Sequence, residues 1–267
     1  MQFTPVGRER HAGKRWRGMT NLAFTAASAV VPLVGAEFAQ AAVSMPIGFT
    51  QQSDKHFLAG AILSLTPGRN LFVAPDGRWL GSYIPAMFRS YPFRLLRKEN
   101  TSDWLLCIDE QSDLIVEGAS DGQPFFDAEG NLAPATKGVF EFLGQVERNR
   151  FATNAAVSAL AEAGVIRPWE IKLKAGDKEQ TITGLYCVDE AAMNALSDEA
   201  FLRLRKASAL PIAYAQLLSM GQLKVFEQLA KLQSQLAQAQ VAKPATTLPD
   251  SLDKIFGLPS DDTVRFT

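Results

Sequence analysis

The stretch NLAFTAASAVVPLVGAEFAQAA, residues 21–42, decides how the chain is read. It is apolar, rich in small residues, and follows a basic segment in which Arg8, Arg10, Lys14, Arg15 and Arg17 face one acid, Glu9. A basic head, an apolar run and Ala39-Gln40-Ala41 match the anatomy of a secretory leader cleaved after Ala41. The same residues suit a folded core. Pro32 interrupts the run, Thr and Ser pad it, and the apolar character continues without a polar break into VSMPIGF. The segment is too short and too interrupted for a membrane span. Composition alone leaves leader and core both standing. Read as core, it predicts a strand near 29–33, a short helix around 35–42 and a strand into MPIGFT.

The rest of the chain sets the frame. With 267 residues, 47% hydrophobic and 21% charged, it can bury a sizeable core. A net charge of −1 gives no global field for nucleic acid, and the basic head with Trp16 is the one basic-aromatic element. That head reads as a solvated face or tail. Cys107 and Cys187 lie in the apolar runs WLLCID and GLYCVD and read as buried thiols. With two histidines, His11 and His56, a structural zinc site is not expected, and no calcium-loop pattern appears. His56 reads as a satisfied structural histidine. No nucleotide-binding motif and no nucleophile elbow occur. The expectation is a chain without metal or cofactor.

Residues 56–65 read as a buried strand, and LFVAPDGRWL as a hairpin about Pro75-Asp76-Gly77. A short helix should end at Tyr91-Pro92, because the residue before proline avoids helical geometry. DWLLCIDE and DLIVEG are further strands. From Lys137 the texture changes. Phe140, Leu143, Val146 and Arg150, then Ala156, Leu160 and Ala163, recur at helical spacing, with Gly164 as the cap. WEIKLKAGDKEQTITGLYCVD reads as a hairpin about Gly176-Asp177. Asp189 and Ser197 read as helix starts, and one long helix follows Pro211. Its seam of Leu218, Val225, Leu229, Leu232 and Leu236 reads as ordinary packing. The fold class is α+β, with a strand-rich half (22–132) packed on a helix-rich half (137–240) that contains one hairpin.

The densest chemistry lies between Asn70 and Phe93. Asn70, Asp76, Trp79, Arg89, Tyr91 and Phe93 form the candidate ligand site, together with Glu37. As turn and core groups, Asn70 and Asp76 would bond backbone while Trp79, Tyr83 and Phe93 are buried. As a recognition surface, Arg89 would clamp a carboxylate or phosphate, with Tyr91 and Phe93 flanking it for stacking. Glu37 is isolated in an apolar stretch and needs a cation or donors, and a Glu37–Arg89 pair would satisfy both. If the protein is an enzyme, Glu37, Asp76 or Asp109 would supply acid/base chemistry.

Several blocks in order resemble one family. VVPLVGAEFAQAAVSMPIGF, GRNLFVAPDGRWLGSYIPAMFRSYPFRLL, EGNLAPAT, GLYCVDEAAMNALSDEAFLRLR and ALPIAYAQLLSM are similar to the SapC-like family, bacterial proteins named after a surface-layer locus. The resemblance runs over most of the chain and implies one domain over 11–240, with 241–267 as a C-terminal extension. It implies that residues 30–49 belong to the domain and are kept, so the expected location is cytoplasmic, with export after cleavage at Ala41 as the alternative. It further implies a non-enzymatic binding or accessory role linked to the cell envelope or surface layer, acting on a peptide or small acidic ligand. The expected partner is an envelope or surface-layer protein or peptide. No catalytic residue comes with the resemblance, and an enzyme modifying a peptide-like substrate, or a secreted structural subunit, are the alternatives. Neither nucleic acid nor a membrane span is expected.

Overall fold

Strands crowd the first half of the chain and helices the second. The computed structural model describes residues 2–53, 56–98, 101, 103–118, 121–175 and 178–242. The first half runs β1 (Phe3–Pro5), α1 (Arg8–His11), β2 (Lys14–Trp16), β3 (Val30–Pro32), α2 (Phe38–Ala42), β4 (Ile47–Ser53), β5 (His56–Ile62), α3 (Ala86–Arg89), β6 (Phe93–Arg97), β7 (Trp104–Asp109), β8 (Ile115–Glu117) and β9 (Gln123–Pro124). The second runs α4 (Pro134–Glu162), β10 (Ile166–Pro168), β11 (Ile171–Ala175), β12 (Lys178–Ile182), β13 (Leu185–Val188), α5 (Glu190–Asn194), α6 (Asp198–Lys206), α7 (Leu210–Ser219) and α8 (Val225–Ala242). This is the expected α+β fold, with β11 and β12 as the expected hairpin. Its turn at Gly176-Asp177 and residues 243–267 of the extension lie outside the described residues.

The main sheet has the order β10-β13-β4-β5-β3, so strands from both halves share it. Apolar and small residues on IGF and FLAGAI bury both faces of its centre: Ile47, Phe49, Ala61 and Ile62 are fully covered. Gly60 lets β3 come close. A Cβ there would stand 2.8 Å from the Val31 carbonyl oxygen and 2.9 Å from Val30 Cγ1, a clash that only glycine avoids. Residues 21–42 form core here. Leu22, Val31, Leu33, Phe38 and Ala41 are buried against Val157 and Leu160 of α4 and Ala213 of α7.

Two smaller sheets, β1-β7-β6 and β8-β2-β9, carry a second core. Phe93, Leu95, Leu106, Ile108 and Phe125 pack on Leu143 of α4. The basic head, expected as a solvated face or tail, is folded into these sheets. β2 pairs with both β8 and β9. The Trp16 indole N–H donates to Thr136 Oγ1 at 2.9 Å, and Arg15 Nη1 donates to the Gly122 carbonyl at 2.9 Å. The arginines alternate outward while Trp16 packs edge-on against Phe93, 4.9 Å between ring centroids. Strand alternation, not charge content, governs the segment.

His11, not His56, is the buried histidine. Its Nδ1 lies 3.1 Å from Gly7 N, and its Nε2 lies 3.2 Å from Glu110 Oε1 without the alignment of a hydrogen bond. His56 is exposed at the start of β5. Both thiols are free and buried, and burial raises each above the usual cysteine pKa. The Pro75-Asp76-Gly77 turn forms, but its arms make a single bridge, Val73 with Trp79. The expected caps hold: Asp189 and Ser197 accept from the Ala192 and Ala200 N–H groups, and Gly164, at φ +70°, ends α4. The long helix after Pro211 is broken into α7, a 3₁₀ turn at Met220–Lys224 and α8. Ser219 bends back to donate to the Gln216 carbonyl at 2.7 Å, and Gly221 follows. The break leaves Leu218 on α7 and the rest of the seam on α8, where Leu229 is buried and Leu232 exposed. Among the described residues no helix is long and apolar enough to cross a membrane.

Candidate functional site

Glu37 is held by its own turn. The 3₁₀ turn Gly35–Glu37 places its N–H on the Val34 carbonyl, while Glu37 Oε2 accepts the Val34 N–H at 3.0 Å. The Gly35 N–H donates to Thr153 Oγ1 at 2.7 Å and ties the turn to α4. Glu37 Oε1 reaches across to the segment before α3 and accepts the Tyr83 hydroxyl at 2.8 Å and the Ala86 N–H at 2.6 Å. A carboxylate 4% exposed is thereby met by donors on both oxygens. Ala86 opens α3, so the negative charge also sits at the helix end it suits.

Arg89, at the far end of α3, is exposed. Its Nε donates to the Ile84 carbonyl at 3.0 Å, and Nη2 points to the Tyr83 hydroxyl at a long 3.5 Å. The guanidinium lies over the rings of Phe142 and Tyr83, 5.3 and 5.8 Å from their centroids. No carboxylate among the described residues forms an ion pair with it. Glu37 and Arg89 are therefore joined through Tyr83, not paired directly. Charge reversal of both together is not expected to rescue either single reversal. The three residues line a cleft of about 170 Å³ with Gln40, Gln145 and Asn149.

Burial first, then the hydrogen bond and charge of Glu37, outweigh Arg89 and push the Tyr83 phenol up to about 12. The unfolded phenol titrates near ~10. A raised acid favours the protonated form in the fold, so this contribution to stability is full below pH ~10 and is lost as pH rises through the folded value. Ultraviolet titration of the four tyrosines should show a last transition near pH 12 that Tyr83→Phe removes. Arg89→Ala should move it higher still. A titration complete by pH 11 would contradict this geometry.

The other expected site residues are placed elsewhere. Asn70 is buried and structural, its amide donating to Thr25 and accepting the Phe72 N–H. Asp76 is exposed and bonds Arg78, whose side chain holds its carboxyl below the usual range. Trp79 stacks on Phe72 in the core and donates to the Tyr83 carbonyl. Phe93 is buried in the second core. Tyr91 stacks on Phe24 at 4.0 Å and donates to Asp109 Oδ2 at 3.3 Å. Tyr91 and Phe93 line a separate pocket of about 300 Å³. Arg89 is thus flanked by Tyr83 and Phe142 in place of Tyr91 and Phe93. Glu37, Asp76 and Asp109 occupy three separate hydrogen-bond networks.

Tyr83 is the member of the cleft that sequence reading passed over, as one aromatic among several. Also missed were Arg94 and Arg97, which share β6 with the buried Phe93 and Leu95. The alternation in FRLLR was the available signal. Among the described residues no three His, Cys, Asp or Glu side chains are grouped to hold a metal ion.

A family model described as SapC matches residues 6–226. No curated protein and no solved structure matches the chain.

Proposed function

Because the chain belongs to the SapC family, we propose that it is a non-enzymatic binding or accessory protein linked to the bacterial cell envelope or surface layer that recognises a peptide or small acidic ligand. Arg89 carries the reading. It is an exposed guanidinium with ring faces on two sides and no carboxylate partner among the described residues. A guanidinium so placed can take a carboxylate bidentately while the rings stack on its plane. Tyr83 and Glu37 fix the wall behind it. The separate networks of Glu37, Asp76 and Asp109 favour binding over carboxylate acid/base catalysis. The reading keeps residues 21–42 in the working protein and places it in the cytoplasm, with export after cleavage at Ala41 as the alternative.

The test is capture of the envelope partner from the native host on immobilised wild-type protein, Arg89→Ala and Arg89→Lys. Loss of a bidentate charged contact should weaken retention roughly tenfold to a hundredfold in Arg89→Ala. Arg89→Lys should recover part of it, since it keeps charge without the fork. A partner retained equally by all three proteins removes Arg89 from the site.

A further inference from the structure

We infer that the open edge of β6, walled by α4, is a docking groove for an extended acidic peptide that joins the small sheet as an added strand. The inference deepens the reading of a binding protein, and rests on it, but uses different groups from the Arg89 cleft.

β6 lies at the end of the sheet β1-β7-β6. The Asp109 N–H donates to the Pro92 carbonyl and the Lys98 N–H to the Asp103 carbonyl, both at 3.0 Å. Bonded positions alternate along an antiparallel ladder. With Arg94 opposite Cys107 and Leu96 opposite Leu105, Arg94 and Leu96 therefore turn their backbone groups toward β7. The Val6 N–H, donating to the Leu106 carbonyl, sets the same parity on the other side of β7. Leu95 and Arg97 consequently aim their N–H and C=O groups at the side without a strand, where neither N–H finds a partner among the described residues. An incoming strand would satisfy these groups, while the Leu95 side chain stays in the second core.

The groove beside this edge is about 600 Å³ and lies between residues 94–97 and Leu143, Val146 and Arg150 of α4. Its charge names the occupant. Arg94 rests over Phe3 at 4.6 Å, and Arg97 over Trp104 at 5.6 Å and Phe151 at 6.0 Å. Neither forms an ion pair among the described residues. The acid in the lining, Glu147, is held by Arg150 at 2.6 Å. Leu96 and Phe151 are 40% and 48% exposed beside these cations. Arginines alone would guard an edge against pairing. Arg94 and Arg97, three residues apart, lie on opposite faces of β6, so the edge fits a strand that carries carboxylates on both faces among apolar residues.

The probe is an N-acetylated, C-amidated hexapeptide of glutamate and valine with glutamate at both odd and even positions, with its lysine-for-glutamate counterpart as control. Wild-type protein should bind the acidic peptide, more weakly as salt rises, and should not bind the basic one. Arg97→Ala should weaken binding through charge. Arg97→Pro should weaken it at least tenfold beyond Arg97→Ala, because it also removes an edge N–H that β7 does not use. Independently of any variant, amide hydrogen exchange on wild-type protein should slow at Leu95 and Arg97 when the peptide is added. The inference is overturned if the acidic peptide does not bind, if Arg97→Pro binds it as well as Arg97→Ala, or if Leu95 and Arg97 gain no protection. It is equally overturned if the free protein is a dimer that Arg97→Pro dissociates, since the edge would then pair with a second copy. Failure here with Arg89-dependent capture intact leaves the binding function standing and removes the groove alone.

Discussion

Glu37→Ala is expected to destabilise the protein by on the order of 4 kcal/mol. The substitution leaves three donors facing a cavity: the N–H groups of Val34 and Ala86 and the hydroxyl of Tyr83. Hydrogen bonds to a charged acceptor contribute about 1.5–3 kcal/mol each, and buried donors left unmade cost more than they returned. These bonds cross elements. They hold the Gly35–Glu37 turn, the loop carrying Tyr83 and the first residue of α3 to one another. Denaturant unfolding of the purified variant measures the loss, and a change below 1 kcal/mol would contradict this arrangement. Glu37→Gln separates charge from shape. Its amide keeps one acceptor, so it should fall between wild type and alanine. Tyr83→Phe removes one donor and leaves the carboxylate its two backbone partners, and should cost about 1–2 kcal/mol. If Glu37 acts mainly by holding this wall, ligand retention in Glu37→Gln should fall less than in Arg89→Ala.

The same residue shows what the sequence could reveal of the site. A lone carboxylate among Val, Gly, Ala and Phe demands partners, and Glu37 was legible as special on that ground. Which partners it has was not legible. Arg89 was the cation expected to pair with it, but Tyr83 and a backbone N–H, 46 and 49 residues away in sequence, intervene. Tyrosine gives no signal of its own, since an aromatic in an apolar segment is core by default. Local features of the fold were legible where chemistry is local: the glycine-bearing strands β4 and β5, the Asp189 and Ser197 caps, the Gly164 stop. The basic strand β2 was hidden because its charges outvoted its alternation. The partnership of β13 with β4 was hidden because it spans more than a hundred residues and neither strand carries a mark of the other. The break in the last long helix was hidden for a related reason. Ser219 and Gln216 look like ordinary helix residues until the sheet edge they serve is known.

That edge yields the second large effect. Gln216→Met is expected to cost about 3 kcal/mol although methionine matches the side chain in size. β13 and β4 are bonded at Tyr186 and Phe49, and the next facing pair would be Val188 and Ile47. In place of that rung the fully buried Gln216 amide stands between the strands. It accepts the Val188 N–H at 2.9 Å and donates to the Ile47 carbonyl at 3.2 Å. Ser219 completes the graft by accepting the Ile47 N–H at 2.9 Å. Side chains of α7 thus replace a ladder pair and fasten the helix to the sheet where its strands part. Methionine fills the space and leaves Val188 N–H and Ile47 C=O buried and unpaired, each at about 1–3 kcal/mol. Ser219→Ala removes one bond and should cost about 1–2 kcal/mol. Because both residues serve Ile47, the double variant should fall short of the sum. Amide exchange at Val188 provides the direct readout: it should be slow in wild type and fast in Gln216→Met. Exchange unchanged by the substitution would mean that Val188 finds another acceptor, and the Ser219 bond to Ile47 would then fasten α7 to this sheet edge without Gln216.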